Sequence, residues 1–155
     1  MVKNLSVNSE KKITVDKRYV HSVVKALSKY LNFECADLEI IFVSEDYIFE
    51  LNKEYLNHVN TTDIITFDYS ESRDNLSGEI YISVDDGRKN AERFNCSFEV
   101  EILRLIIHGI LHLLGYDDIE EHDKKVMKKL ENELVNKYKY IITNNTNSIY
   151  DRKNN

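Results

Sequence analysis

The hydrophobic positions of this chain follow two different spacings. In the first, apolar residues recur every three or four positions, which is the spacing of the buried face of an amphipathic helix. This set comprises Val20, Val23, Val24, Leu27 and Leu31. In the second, residues 37–43 form a short run of β-branched and aromatic side chains, which predicts a strand. A first helix that begins near residues 14–16, followed by a strand, is therefore expected.

Similar patterns predict the other elements. Further strands are predicted at residues 2–7, 63–67 and 78–83, with a polar loop at 71–76. One helix is expected after Ser44, a good N-cap residue, with a buried stripe of Ile48, Leu51, Tyr55 and Leu56. Three more helices are predicted at residues 85–94, 98–114 and 120–140. The inward positions of the last helix are expected to be Val126, Met127, Leu130, Leu134 and Val135.

No linker or internal repeat divides these elements. Strands that are interleaved with helices predict an α+β fold, in which a small mixed sheet packs with about five helices. Residues 1–142 are expected to form one domain, and the polar residues 143–155 are expected to be a disordered tail. The helix at 98–114 is apolar around most of its surface, so it is expected to lie buried at the centre.

The composition narrows the class of protein. The chain has 155 residues, of which 42% are hydrophobic, enough for one globular core. No apolar run approaches the roughly 20 residues that span a bilayer, and a signal peptide is not expected. Cys35 and Cys96 stand apart, which favours free thiols in a reducing cytoplasm. The net charge of −6 lowers the expectation of a nucleic-acid partner, although a local basic patch can lie on an acidic protein.

The chemically informative residues are two histidines in the most hydrophobic helix. His108 and His112 lie four residues apart, so both side chains face one side of the helix, where they can share a zinc ion. Gly115 allows the chain to reverse, and Asp118 follows three residues later as the predicted third ligand. His122, about one helical turn further on, is the alternative third ligand. Three protein ligands leave a fourth position for water, as in catalytic zinc sites.

The residue after the first histidine separates two kinds of zinc enzyme. In HExxH peptidases a Glu at this position is the general base. Here the residue is Gly109, which argues against a standard peptidase unless another acid, such as Asp117 or Glu79, takes that role. Without a metal, the two histidines would be packed, hydrogen-bonded core residues. Burying two unpaired imidazoles costs on the order of several kcal/mol, which favours the shared metal.

The run His-Gly-Ile-Leu-His-Leu-Leu-Gly-Tyr-Asp at residues 108–117 resembles the signature of the YbeY family. Two upstream segments, Thr-Asp-Ile-Ile-Thr-Phe at 62–67 and Gly-Glu-Ile at 78–80, are similar to segments of that family in the same order. The resemblance implies a zinc-dependent, single-strand-specific endoribonuclease that acts in ribosomal RNA maturation. It also implies one zinc ion per chain, with RNA and the ribosomal subunit as partners and no membrane association.

Three positions depart from the family pattern. Asp118 stands where the family usually has a third histidine, and its negative charge lowers the positive charge of the metal site. Leu56 stands where the family often carries an arginine, and Asp68 replaces a proline. The last two departures concern residues that the resemblance associates with the substrate.

Other charged residues carry weaker signals. Arg104, one turn before His108, is predicted to be a cleft cation and, together with Asp117, a catalytic residue. An ion pair of Arg104 with Glu101 or Glu99 is the alternative. The last helix mixes lysines with acids, which favours a solvated face over a phosphate-binding one. These residues include Lys124, Lys125, Lys128, Lys129, Glu131 and Glu133. His21 and His58 are expected to be exposed.

Two other functions are compatible with the same residues. A zinc protease or amidase would use the same pair of histidines with a different general base. A non-catalytic ribosome-assembly factor would hold zinc for structure alone, although structural sites tend to have four protein ligands.

Overall fold

A computed structural model describes residues 1–55, 62–143 and 150–152 of the chain. Its elements, in chain order, are β1 (Leu5–Ser9), β2 (Ile13–Val15), α1 (Lys17–Leu31), β3 (Glu34–Val43), α2 (Glu45–Tyr55), β4 (Ile64–Asp68), β5 (Asn75–Ser83), α3 (Val84–Arg93), α4 (Phe98–Leu113), α5 (Glu121–Tyr138), α6 (Tyr140–Thr143) and β6 (Tyr150–Arg152).

Four strands form one mixed sheet in the order β1-β3-β5-β4. The pairs β1–β3 and β3–β5 are parallel, whereas β4 runs antiparallel to β5 along the edge. A separate antiparallel pair joins β2 to β6. This arrangement confirms the predicted α+β class with a small mixed sheet and five helices longer than one turn.

The two faces of the sheet are covered by different helices. Helix α2 packs through Ile48 on the face that carries Val43 and Ile65. The opposite face carries Ile40 and Ile80, and it joins the main core with α1, α3, α4 and α5. Because successive side chains of a strand point to opposite faces, the alternation along β3 and β5 produces both layers.

Serine and aspartate side chains begin four of the helices. Asp16, Ser83 and Ser97 each accept a hydrogen bond from a backbone N–H of the first turn that they precede. The Ser44 hydroxyl accepts one from the N–H of Tyr47 at 3.2 Å, as predicted. These contacts satisfy N–H groups that have no partner within the helix.

Helix α4 is buried on nearly all sides, which confirms the prediction for residues 98–114. Gly109 brings its backbone against the sheet: a Cβ atom there would lie 2.8 Å from Ile80 Cγ2 and 3.2 Å from Ile64 Cδ1. Gly115 has a φ of +101°, a conformation that other residues rarely adopt, so the chain turns immediately after the helix. The side of α4 that carries Gly109 therefore faces the sheet closely.

Several local predictions were wrong. The strand predicted at 2–7 begins only at Leu5, and β5 begins at Asn75, inside the predicted loop. The predicted inward residues Tyr55 and Val126 are exposed. His21 is buried, and its Nδ1 accepts a hydrogen bond from the N–H of Val2 at 3.0 Å. For His21, a tertiary contact outweighs the local pattern.

Three further predictions, for Leu56, His58 and the tail at residues 143–155, fall wholly or partly on residues that the structure does not describe. Leu56 and His58 lie outside the described residues, as do residues 144–149 and 153–155 of the expected tail. Within that tail, Tyr150–Arg152 pairs with Ile13–Val15. None of the described helices is long and apolar enough to cross a membrane.

Candidate active site

The two histidines of α4 point to the same position beside the helix. His108 Nε2 and His112 Nε2 lie 3.1 Å apart, and the two ring planes are inclined at 77°. Their spacing of four residues places them one turn apart on one face, as the sequence predicts. Both side chains are partly buried, with their ring nitrogens directed toward each other.

The turn after α4 brings Asp118 back to the histidines. The N–H of Gly115 donates to His112 O and the N–H of Tyr116 donates to Leu111 O, which closes the helix end. Asp118 Oδ2 then lies 3.6 Å from the Nε2 atom of each histidine. Within the described residues, these three side chains form the group of His, Cys, Asp or Glu that can hold a metal ion. His122 is exposed and does not belong to this group.

The spacing of the three donor atoms fits a tetrahedral zinc ion. Zinc-to-ligand distances of about 2.0–2.2 Å place neighbouring tetrahedral ligand atoms about 3.3–3.6 Å apart. The observed separations are 3.1, 3.6 and 3.6 Å. Two imidazole nitrogens and one carboxylate oxygen also form a donor set that zinc accepts in catalytic sites. The residues present therefore suit a metal with one open position.

A buried carboxylate on α5 orients the first histidine. Glu131 Oε2 lies 2.7 Å from His108 Nδ1, and only 4% of the Glu131 surface is exposed. An ionised carboxylate can only accept a hydrogen bond, so His108 Nδ1 carries the proton, and in the neutral imidazole Nε2 keeps its lone pair. This is the arrangement that directs a histidine toward a metal. The prediction that Glu131 belongs to a solvated helix face was wrong.

Arg104 is held by the same carboxylate. Its Nη1 donates to Glu131 Oε1 at 3.0 Å and to Asn132 Oδ1 at 2.6 Å. Its Nε lies 3.6 Å from Glu101 Oε1, which matches the alternative ion pair considered for Arg104. Arg104 lines the cleft, but these protein groups already bind its guanidinium.

A second set of polar residues extends the network away from the histidines. Asn90 Nδ2 donates to Asp63 Oδ2 at 3.0 Å and to Glu101 Oε2 at 3.4 Å. Glu101 is almost completely buried, and no described residue donates a hydrogen bond to its Oε1. Burial raises the pKa of Glu101 above its ordinary value, although the charge of Arg104 opposes this effect.

The environment shifts the pKa values of the two histidines in opposite directions. Burial alone lowers the pKa of His108, but the hydrogen bond and charge of Glu131 outweigh it and leave this pKa raised. Burial and the neighbouring His108 both lower the pKa of His112. Burial would raise the pKa of Glu131, yet His108 and Arg104 lower it overall. Glu131 is therefore the ionised acceptor of this pair.

His108 and the polar network open into one cleft. Its volume is about 460 Å³. Its lining includes Asp63, Asn90, Glu101, Arg104, His108, Asp118, Lys124, Met127, Lys128 and Glu131. A larger groove of about 810 Å³ lies beside α2 and is lined by acidic and aromatic side chains, and no histidine is among the described residues that line it. The smaller cleft is thus the one that carries the candidate chemistry.

Asp117, predicted as catalytic, is exposed and lies at the turn. Its Oδ1 accepts hydrogen bonds from the N–H groups of Asp118 at 2.6 Å and Ile119 at 3.1 Å. It does not line the cleft. These contacts hold the backbone that carries Asp118, which gives Asp117 a positioning contact in this structure.

The sequence reasoning missed Glu131, Asn90 and the cleft contacts of Asp63. A signal for Glu131 exists, because Met127, Leu134 and Tyr138 mark the buried side of α5 and position 131 falls on that side. A charged residue at a buried helical position requires a partner, so the pattern around Glu131 indicates a paired, buried carboxylate. Asn90 carries no comparable signal.

Comparisons with known proteins agree with this site. The family profile described as Endoribonuclease YbeY matches residues 4–139. The endoribonuclease YbeY of Parabacteroides distasonis is 41% identical over 118 residues, which cover 76% of this chain and 82% of that protein. That of Bacteroides thetaiotaomicron is 40% identical over 121 residues, which cover 78% of this chain and 88% of that protein. A solution structure from Thermotoga maritima aligns with a TM-score of 0.65 and 30% identity, covering 91% of this chain and 93% of that one. The chain belongs to the endoribonuclease YbeY family.

Proposed function

We propose that this protein is a zinc-dependent, single-strand-specific endoribonuclease that acts in ribosomal RNA maturation. The observation that carries the proposal is the triangle of His108 Nε2, His112 Nε2 and Asp118 Oδ2 at the mouth of a cleft, in a member of this family. One zinc ion per chain is held by these three residues. When bound, zinc supplies Lewis acidity that can either acidify a water or offset the charge that develops on a phosphate oxygen.

The chain's own residues prepare the site for this chemistry. Glu131 keeps the proton of His108 on Nδ1, so that Nε2 is free to bind. Asp117 fixes the turn that presents Asp118. Arg104 balances the charge of Glu131 inside the protein. The predicted catalytic roles of Arg104 and Asp117 stay predictions, and their contacts support positioning roles for both.

The RNA partner and the cellular setting follow from the same proposal. The relatives are named endoribonucleases. The resemblance of residues 108–117 to the family signature implies ribosomal RNA as the substrate. Cys35 and Cys96 are free thiols, which suits a reducing cytoplasm.

The peptidase alternative is disfavoured by the position of Gly109. The backbone there packs against Ile80 and Ile64, on a different side of α4 from the histidines. A glutamate at this position would meet the sheet, so the HExxH type of general base has no room. The assembly-factor alternative would leave the cleft without a substrate.

The experiment compares metal-loaded wild type with a His112→Ala variant purified in parallel. The substrate is a labelled single-stranded RNA oligonucleotide at low ionic strength, with a matched duplex and casein as alternative substrates. We expect wild type to cleave the single strand, and we expect chelator and His112→Ala to abolish cleavage. Equal cleavage by wild type and variant indicates a contaminating ribonuclease and supports the assembly-factor function. Casein hydrolysis that is lost in the variant supports the protease.

A further inference from the structure

One face of helix α5 forms part of the cleft wall. Lys124, Met127, Lys128 and Glu131 all line it, and their spacings of three and four residues belong to one face of a helix. Met127 and Glu131 are buried at the base of this face, whereas the two lysines are exposed. The ammonium groups therefore stand at the rim of the cleft that contains His108.

The positively charged side chains that line the cleft differ in how strongly acidic groups of the protein already bind them. Arg104 is bound by Glu131, Glu101 and Asn132, so it is not free for a ligand. The Lys128 ammonium lies 3.5 Å from Glu131 Oε1, yet 63% of the Lys128 side chain is exposed. Within the described part of the chain, no ion pair to Lys124 is found. These two lysines are thus the cleft cations that can meet a ligand from solvent.

The formal charge balance of the lining indicates when an anion can enter. Four carboxylates face three cations, so the metal-free cleft carries a net negative charge when histidine is neutral. A divalent metal reverses the sign of this balance. The four carboxylates are those of Asp63, Glu101, Asp118 and Glu131, and the three cations are Arg104, Lys124 and Lys128.

We propose that Lys124 and Lys128 form a phosphate-binding edge that holds the RNA backbone beside the His108 site, and that the edge works only when the metal is bound. The proposal rests on the proposed function and names the contacts that let an acidic protein bind a polyanion. Each ammonium is a point charge suited to a phosphate oxygen. Contacts of this kind weaken as salt rises, because bound counterions are released from the RNA.

The same helix supplies a matched control. Lys125 and Lys129 are also four residues apart and exposed, but they do not line the cleft. Lys124→Ala/Lys128→Ala and Lys125→Ala/Lys129→Ala therefore remove the same charge from the same helix, the first pair from the face that lines the cleft and the second from outside it. Because Lys128→Ala also removes the 3.5 Å contact with Glu131, the zinc content of both variants is measured before RNA binding. Both double variants should fold and bind one zinc equivalent, since exposed substitutions usually change stability by no more than about 0.5 kcal/mol.

Binding is measured as the anisotropy of a labelled single-stranded RNA over a series of salt concentrations, with metal-loaded and metal-free protein. For Lys124→Ala/Lys128→Ala we expect several-fold weaker binding and a slope of log K against log salt that falls by about 1.4, the value for two lost contacts to a single strand. In cleavage assays KM should rise while kcat stays near the wild-type value. Lys124→Ala alone should give about half of the change in slope, and Lys124→Arg/Lys128→Arg should restore binding.

The outcomes separate this inference from the function on which it rests. If wild type neither binds nor cleaves RNA, the proposed function fails. If wild type cleaves RNA in a His112-dependent way and the two double variants behave alike, the lysine edge is wrong and the function stands. A labelled polyglutamate peptide is tested in the same way. If Lys124→Ala/Lys128→Ala loses binding to this peptide while its RNA binding is unchanged, the two lysines bind an acidic peptide and not RNA. Equal RNA affinity of metal-loaded and metal-free protein would overturn the claim that the lysine edge requires a bound metal.

Discussion

Glu131 Oε2 accepts a hydrogen bond from His108 Nδ1 at 2.7 Å, although the two residues are 23 positions apart. The contact joins the buried side of α5 to the one helix that carries both histidines. It connects the packing of two helices to the protonation of a single ring nitrogen. The affinity for metal should therefore depend on a residue that is not itself a ligand.

Glu131→Ala should lower zinc affinity by about 10- to 100-fold, the usual effect of removing the partner of a metal-binding histidine. Glu131→Gln should lose less, because its amide oxygen can still accept the Nδ1 proton. Affinity is measured by competition with a chromophoric chelator. Glu133→Ala is the control, since it removes the same charge from an exposed position of α5. Equal affinities of the Glu131 and Glu133 variants would contradict the positioning role.

Asp118→Ala should lower zinc affinity, whereas His122→Ala should leave it nearly unchanged. The reason is geometric, because Asp118 Oδ2 lies 3.6 Å from both histidines and His122 is exposed outside the group. Asp118→His should preserve binding, since imidazole is also a zinc ligand. Zinc content after dialysis, measured by elemental analysis, checks all three variants. A full equivalent in Asp118→Ala with loss in His122→Ala would transfer the third ligand to His122.

Gly109→Ala should lower the free energy of unfolding by about 1 kcal/mol. The added Cβ would lie 2.8 Å from Ile80 Cγ2, and overpacking costs about 1–3 kcal/mol, more than the gain of about 1 kcal/mol in helix propensity. Urea unfolding measures the change. In an Ile80→Ala background the same substitution should cost less, because the two Ile80 methyl contacts are gone and only Ile64 Cδ1, at 3.2 Å, stays close. A destabilisation of equal size in both backgrounds would show that Ile80 is not the cause.

The parts of the site that depend on neighbouring residues in the chain were predictable from the sequence. The pair of histidines follows from helical spacing, and the return of Asp118 follows from Gly115 and the length of the turn. The boundaries of α3 and α4 were also close, since Ser83 and Ser97 mark them with N-cap side chains. Each of these relationships spans ten residues or fewer.

The parts that depend on tertiary packing were not predictable in the same way. His21 faces inward because the chain end carries Val2 to its Nδ1, which no pattern within α1 indicates. Strand β2 has only three residues and exists through its pairing with β6. The polar network around Glu101 joins α3, α4 and the residue before β4, so neither its residues nor its contacts follow from local periodicity.

The stability of the Glu101→Gln variant relative to wild type should increase as pH rises. Burial raises the pKa of Glu101 in the folded protein above its ordinary value of about 4.3. Below that ordinary value the carboxyl is protonated in both states, so wild type and variant should have similar stability. As pH rises through the raised folded pKa, wild type must bury a charge that the variant does not carry. Wild type therefore loses stability relative to Gln over this range, and the difference becomes constant above it.

The measurement is urea unfolding of both proteins at several pH values from about 4 to about 8, with excess chelator so that the metal state is the same. Other groups titrate equally in both proteins and cancel in the difference. Glu133→Gln controls for loss of a carboxylate at an exposed position of α5, and its difference from wild type should vary little with pH. A difference for Glu101→Gln that shrinks as pH rises would mean that Arg104, at 3.6 Å, stabilises the carboxylate more than burial destabilises it. The pKa of Glu101 in the folded protein would then lie below its ordinary value rather than above it.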